Sequence, residues 1–237
     1  MNGRQCLGLV AAGVALACSG TPPTEHVSAE QRGQNWFADG SASTYGLSCA
    51  TCHSSAKGTA SRFLPGGDLG GATARTSFWG GAEDDLLRSV NDCRRQFQGA
   101  AADWTRDEPA AVDLYAWLLT LPGNGDPVPF TIVQAVQDLP RGDASRGKSV
   151  FGQACSSCHG ALHSGVGHIH AAVPSLPDDV LQEHQQFTAD QRRVIFVEKV
   201  RHGGFLGYGG LMAPFSLETL SDDDLAALLS YLDLYSP

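Results

Sequence analysis

Two short stretches carry thiols and an imidazole at one spacing: Cys49-Ala50-Thr51-Cys52-His53 and Cys155-Ser156-Ser157-Cys158-His159. In each, two residues separate the cysteines and a histidine follows at once. Two thiols one helical turn apart can reach the two vinyl groups of a single porphyrin and close thioether bonds. The adjacent imidazole is then placed to bind iron axially, as a neutral nitrogen donor near pH 7. This is the attachment pattern for c-type haem. Read alone, either copy also suits a Cys-x-x-Cys redox pair or half of a zinc site. Zinc would need a second ligand pair at compatible spacing, and a thioredoxin-like site would need a βαβ setting, which neither copy has. The repetition favours iron. Two covalently bound haem c groups are expected, on Cys49 with Cys52 and on Cys155 with Cys158, with His53 and His159 as axial ligands.

The bulk properties agree. The chain has 237 residues, 42 % of them hydrophobic, only 8 % aromatic, and 28 glycines. A porphyrin replaces much of the apolar core that side chains would otherwise supply. The formal net charge of −9 argues against nucleic acid, since phosphate neutralisation needs clustered Lys and Arg. It favours a redox partner protein with a basic docking patch, found through long-range steering.

The first 24 residues read as a leader and tether. One positive charge, Arg4, precedes an apolar run from Leu7 to Ala17 that is too short to span a bilayer as a helix. Leu16-Ala17-Cys18 at its end resembles a bacterial lipobox, with Ala15 where a larger aliphatic residue is more usual. Cys18 would then be the lipidated N-terminus, and simple secretion with an incidental Cys18 is the alternative. Either route leads to the periplasm or the outer face of a bacterial membrane, where haem is attached to c-type cytochromes. Of seven cysteines, Cys6 leaves with the leader, Cys18 is lipidated or lost, and four serve the motifs. Cys93 remains, an odd thiol that needs a reason.

Several helices must position these groups. Ser28 can cap a helix from Ala29 to Ala38. A glycine-rich loop over 58–81 has no helical or strand period, and its Arg62 and Arg75 could meet porphyrin propionates. A helix is expected from Ala82 to Cys93. A second is expected to open on the box Thr105-Arg106-Asp107-Glu108 and run to Leu119, with Val112, Tyr115, Ala116 and Leu119 as its apolar stripe. Leu121 to Pro127 stops it, and 126–140 reads as a linker with a short apolar patch. The pattern then restarts. Asp143-Ala144-Ser145-Arg146-Gly147 repeats Ala29-Glu30-Gln31-Arg32-Gly33, and Val150-Phe151 matches Trp36-Phe37. A helix over Gln191–Arg201 corresponds to Leu86–Asn91. The closing helix from Ser221 to Leu232 corresponds to 105–119. Both closing helices carry a tyrosine beside a bulky residue, Tyr115 and Tyr231.

This order of helix, Cys-x-x-Cys-His, loop, helix, loop and helix resembles class I cytochrome c, over nearly all of the chain beyond the leader. The resemblance implies an all-α fold of two tandem domains, 25–125 and 141–237. In each, the first and last helices would cross and a ligand loop would close a covalent haem. In the second domain it implies Met212, in Gly210-Leu211-Met212-Ala213-Pro214, as the distal axial ligand; a gap-filling Met212 is the other reading of that residue, and His202, in an Arg-His-Gly turn that suits a structural role, is its main competitor. Met212 is the one methionine beyond Met1, and thioether ligation raises the potential. The first domain has Gly99 to Trp104 in that place and no methionine. Cys93 is near, and Val90-Asn91-Asp92-Cys93 with Phe97-Gln98-Gly99 is similar to a region of di-haem thiosulfate dehydrogenases, in which one haem has His/Cys ligation. A distal His26 or Lys57, a five-coordinate iron, or Cys93 as an inert buried thiol are the other readings. His163, His168 and His170 read as loop histidines.

Two functions follow as expectations. The first is electron transfer between periplasmic or membrane-bound redox partners. The second is a thiosulfate dehydrogenase-type oxidoreductase with chemistry at the first haem, where Arg94, Arg95 and Arg75 could hold an anion.

Overall fold

The computed structural model describes residues 26–55, 63–204 and 211–236; the leader with Cys18, and Lys57 and Arg62, lie outside them. Nine α-helices form among the described residues: α1 (Ala29–Ala38), α2 (Cys49–Cys52), α3 (Leu86–Gln98), α4 (Pro109–Leu118), α5 (Ala144–Val150), α6 (Ser156–His159), α7 (Asp178–Glu183), α8 (Ala189–His202) and α9 (Asp222–Tyr231). Among the described residues no strand joins them, and an isolated antiparallel bridge pairs Phe78 with Glu83. No described helix is long and apolar enough to cross a membrane.

Two crossed helix pairs organise the molecule, α1 on α4 and α5 on α9. The crossings are built alike. At the first, a Cβ added to Gly33 would fall 2.0 Å from the Asp113 carbonyl oxygen; at the second, one added to Gly147 would fall 2.0 Å from that of Ala227. Only glycine lets the backbones touch there. The arginine before each glycine reaches across to an acid on the partner helix. Arg32 holds buried Asp113 through two hydrogen bonds, Nε at 2.7 Å and Nη2 at 2.6 Å, and Arg146 Nε holds Asp224 at 2.7 Å. An aromatic pair seals each crossing, Phe37 with Trp117 at 4.5 Å and Phe151 with Tyr231 at 5.8 Å between ring centres. The Arg-Gly repeat in the sequence is therefore a packing signature. The residue of the first crossing equivalent to Tyr231 is Trp117, not Tyr115, which is 44 % exposed.

The helix ends follow local chemistry. Ser28 accepts from the Gln31 amide, Asp143 from Ser145, Thr188 from Gln191 and Ser221 from Asp224, each satisfying an otherwise orphaned donor. The third helix departs from its expected span. It starts at Leu86 because Asp85 caps it, while Glu83 accepts from the Asp84 and Asp85 amides in the turn before. It runs on to Gly99, whose left-handed φ of 70° ends it, so Cys93 sits in mid-helix rather than at its end. The box expected at Thr105 does not form. Thr105 Oγ1 donates to Asp107 instead, and α4 opens at Pro109. Its expected stripe is also turned: Val112, Tyr115 and Leu119 are exposed, while Ala110, Asp113, Leu114 and Trp117 face α1 and the core. The Arg32–Asp113 pair makes this rotation possible, because a buried carboxylate needs a partner.

Residues 126–140 act as a strap rather than a free linker. Thr131 bonds Glu218 through its amide (2.9 Å) and hydroxyl (2.6 Å), the Val133 carbonyl lies 2.5 Å from His202 Nε2, and Asp138 accepts from Arg193. The helix α7 and the turns at Ala72–Ala74 and Trp79–Gly81 had no periodic signal in the sequence.

The larger core gathers α8, α9 and Leu220, with Leu225, Leu228 and Leu229 fully buried. Arg201, 1 % exposed, is its polar anchor. Nη1 donates to the carbonyls of Phe215 (3.2 Å), Ser216 (3.4 Å) and Leu220 (2.6 Å), and Nη2 to Asp222 (2.6 Å). The segment following Met212 is thus tied to α8. Arg201→Met should leave these buried carbonyls unpartnered and cost about 3 kcal/mol. A lower urea midpoint with an unchanged m value would show it; a midpoint equal to that of the wild type would refute the anchoring role.

Candidate haem sites

The first motif forms one helical turn. Cys49 and Cys52 stand on α2 and His53 caps its end. His53 Nδ1–H donates to the Gly67 carbonyl at 2.9 Å, which leaves Nε2 as the free donor atom, as for a metal-binding imidazole. Gly66 packs closely against the ring; a Cβ there would meet Nδ1 and Cε1 at 2.5 Å. The loop is pinned on both sides: the Gly66 amide donates to Cys52 and the Leu69 amide to Ser54. Arg75 Nη2 donates to the carbonyls of Asp68 and Gly70, both at 2.7 Å, while its Nε is buried without a partner. Burial, more than any other influence, lowers the His53 pKa, and Arg75 lowers it further. The ring is therefore neutral and free to ligate.

The second motif is continuous with its helix. A π-helical turn over Phe151–Cys155 leads from α5 directly into α6. In the first half, by contrast, the residues between Ala38 and Ser48 separate helix and motif. His159 Nδ1–H donates to the Pro174 carbonyl at 2.9 Å, and burial lowers its pKa as well. Both imidazoles therefore hold the same tautomer by the same device.

An apolar cavity opens beside His53, between α2, α3 and the 65–79 loop. Its wall includes Cys49, Cys52, Trp79, Val90, Cys93, Phe97 and Trp104. Cys93 thus faces the same space as His53. Burial raises its thiol pKa, with Cys49 and Cys52 adding to the rise. The sequence does not foretell four residues of this wall: Val128 and Phe130 from the strap, and Ala213 and Pro214 from the far half of the chain. The apolar patch in 126–140 is the only trace of them. Asn91, buried in α3, ties the wall together. Its amide clasps Trp104, accepting from the amide N–H at 2.9 Å and donating to the carbonyl at 3.0 Å.

These residues fit an iron porphyrin: a thiol pair on one turn, an oriented neutral imidazole, apolar walls, and a buried guanidinium nitrogen without a partner beside them. When bound, haem c supplies a one-electron couple, and the chain supplies position, axial ligands and shielding from water.

The other candidates separate. Arg94 borders the cavity, stacked 4.0 Å over Trp104 and bonded to Asn91 and Ala102. Arg95 points away into ion pairs with Asp92 and Asp103, so it does not pair with Arg94 to hold an anion. Met212 is partly buried against the second core, and its carbonyl accepts from the Gly204 amide at 2.8 Å. His26 is exposed at the start of the described chain. His163 binds Asp178 at 3.1 Å and His170 meets Tyr45. Among the described residues, no group of three or more His, Cys, Asp or Glu is placed to hold a metal ion by itself.

Residues 142–232 match the family model described as cytochrome C oxidase, cbb3-type, subunit III. The matched stretch runs from the residue before the Asp143 cap to the end of α9, and so contains the second motif, Met212 and the second crossing. It supports a c-type cytochrome, a class that binds haem c covalently and transfers electrons. No curated protein matches the chain.

Proposed function

We propose that the chain is an exported di-haem c-type cytochrome of two class I-like domains, passing electrons between periplasmic or membrane-bound redox partners. The observation that carries this reading is the equivalence of the two crossings. Arg32-Gly33 with Asp113 and Arg146-Gly147 with Asp224 place like motifs against like helices, although the family match covers only the second. In this reading the second iron is held by His159 and Met212, which gives it the higher potential. The acidic surface meets a basic patch on the partner, and Cys18 tethers the chain to a membrane. Purified holoprotein mixed with a small basic cytochrome should exchange electrons at a rate that falls steeply with added salt. A rate insensitive to salt contradicts the docking model.

One observation supports a second reading, a thiosulfate dehydrogenase-type oxidoreductase. Cys93 shares the cavity with His53, and iron would deprotonate a coordinating thiol despite its burial. The first haem would then carry His53/Cys93 ligation and a low potential. Low-temperature electron paramagnetic resonance should show a thiolate-ligated low-spin ferric signal that disappears in Cys93→Ser. Thiosulfate-dependent reduction lost with it would establish the enzyme. A spectrum unchanged in Cys93→Ser removes Cys93 from the iron.

A further inference from the structure

The two motifs are more than 100 residues apart in sequence but come together in space. The backbone shows how. Gly46, three residues before Cys49, lies against Ile169: a Cβ built on it would be 3.6 Å from the Ile169 carbonyl oxygen and 3.8 Å from its Cγ1. Ile169 in turn donates its amide to the Cys158 carbonyl at 3.0 Å. Beside this contact the half-buried rings of Tyr45 and His170 meet edge to face, 5.7 Å between centres and 88° between planes. Two more contacts cross between the halves. Ala213 and Pro214 wall the first cavity, and Phe63 packs on the second core.

We propose that the two attachment sites adjoin across this contact, and that the Tyr45–His170 pair sets their spacing. The inference rests on the di-haem reading and deepens it. With haem bound at both, electrons would pass between the two sites across this contact. His170, an apparent loop histidine, becomes a positioning residue. It does not touch iron; it holds 169–170 on the segment that leads into the first motif.

Circular dichroism in the Soret band of the intact holoprotein tests this, because closely spaced porphyrins couple and split the band into two lobes of opposite sign. The wild type should show such a couplet with two covalent haems by pyridine haemochromogen assay. His170→Ala and Tyr45→Ala should lose it while keeping both haems and their absorption spectra. Single-attachment variants, Cys49→Ala/Cys52→Ala and Cys155→Ala/Cys158→Ala, supply the reference spectra. Should either fail to fold, half-reduction of the wild type gives the same comparison, since the couplet must collapse when one iron changes state. Two haems with a Soret spectrum that is the plain sum of the references, or one that merely tracks the reduced fraction, would overturn the contact and leave the di-haem reading intact. A couplet unchanged in both ring variants would overturn the spacing role of Tyr45 and His170. A count of one haem would overturn both readings.

Discussion

Gly147→Ala should unfold at a lower denaturant concentration than the wild type, although helix propensity alone predicts the opposite. Alanine in a helix interior is favoured over glycine by about 0.5–1 kcal/mol. At Gly147 the new methyl would lie 2.0 Å from the Ala227 carbonyl oxygen and 2.7 Å from the Tyr231 Cβ. Both obstacles are backbone or the root of a side chain, so neither can swing aside. The helices must part, and overpacking of this kind costs about 1–3 kcal/mol or more, which reverses the sign. Gly147→Val should cost more still, a large share of the ~5–15 kcal/mol that holds a domain folded. Gly33 makes the same prediction against Asp113. Gly152 is the control: nothing stands within 4 Å of a Cβ built there, so Gly152→Ala should be neutral or slightly stabilising. If Gly147→Ala and Gly152→Ala behave alike, the crossing is looser than described and the equivalence of the two halves loses its physical basis.

Removing one attachment pair should remove one haem and leave the other site spectrally intact. The double variant Cys155→Ala/Cys158→Ala deletes the thiols of the second motif. Cys155 packs in the larger core, but neither the Gly147 crossing nor the Arg201 anchor is built on a thiol. The remaining haem should report the first site alone: His53 with Gly67 behind it, Arg75 beside it, and Cys93 in the same cavity. The complementary variant, Cys49→Ala/Cys52→Ala, should report His159 alone. Each should retain about half of the covalent haem per chain. Because the second site is assigned a thioether ligand and the first is not, the two single-haem proteins should titrate at different potentials. A loss of both haems from one double variant would mean that the sites are not independent.

The sequence made the chemistry of the sites more legible than their surroundings. Both motifs could be read directly because covalent attachment demands fixed residue types at fixed spacing. The starts of α1, α5 and α9 were legible nearly to the residue because Ser28, Asp143 and Ser221 cap through local hydrogen bonds; that of α8 lies two residues before the expected Gln191, where Thr188 caps it. The start of α3 was not, because Asp84 and Asp85 are equally good caps by type, and only the turn built on Glu83 selects Asp85. The face of α4 was misread for a reason outside the helix. Asp113 reads as a solvent residue until Arg32, 81 positions away, is seen to hold it. The wall contributed by Val128, Phe130, Ala213 and Pro214 was beyond reach, since it depends on how the halves meet and no periodic pattern encodes that. The same holds for His170, whose role rests on Tyr45 rather than on its neighbouring histidines.

On the di-haem reading, one chain carries two covalent haem c groups. Intact mass of the denatured wild-type protein tests it most directly, because thioether-bound haem survives unfolding. A single species heavier than the polypeptide by two haems is expected, falling to one in each double-cysteine variant. A wild-type mass with one haem or none, from cells that mature other c-type cytochromes fully, would contradict it.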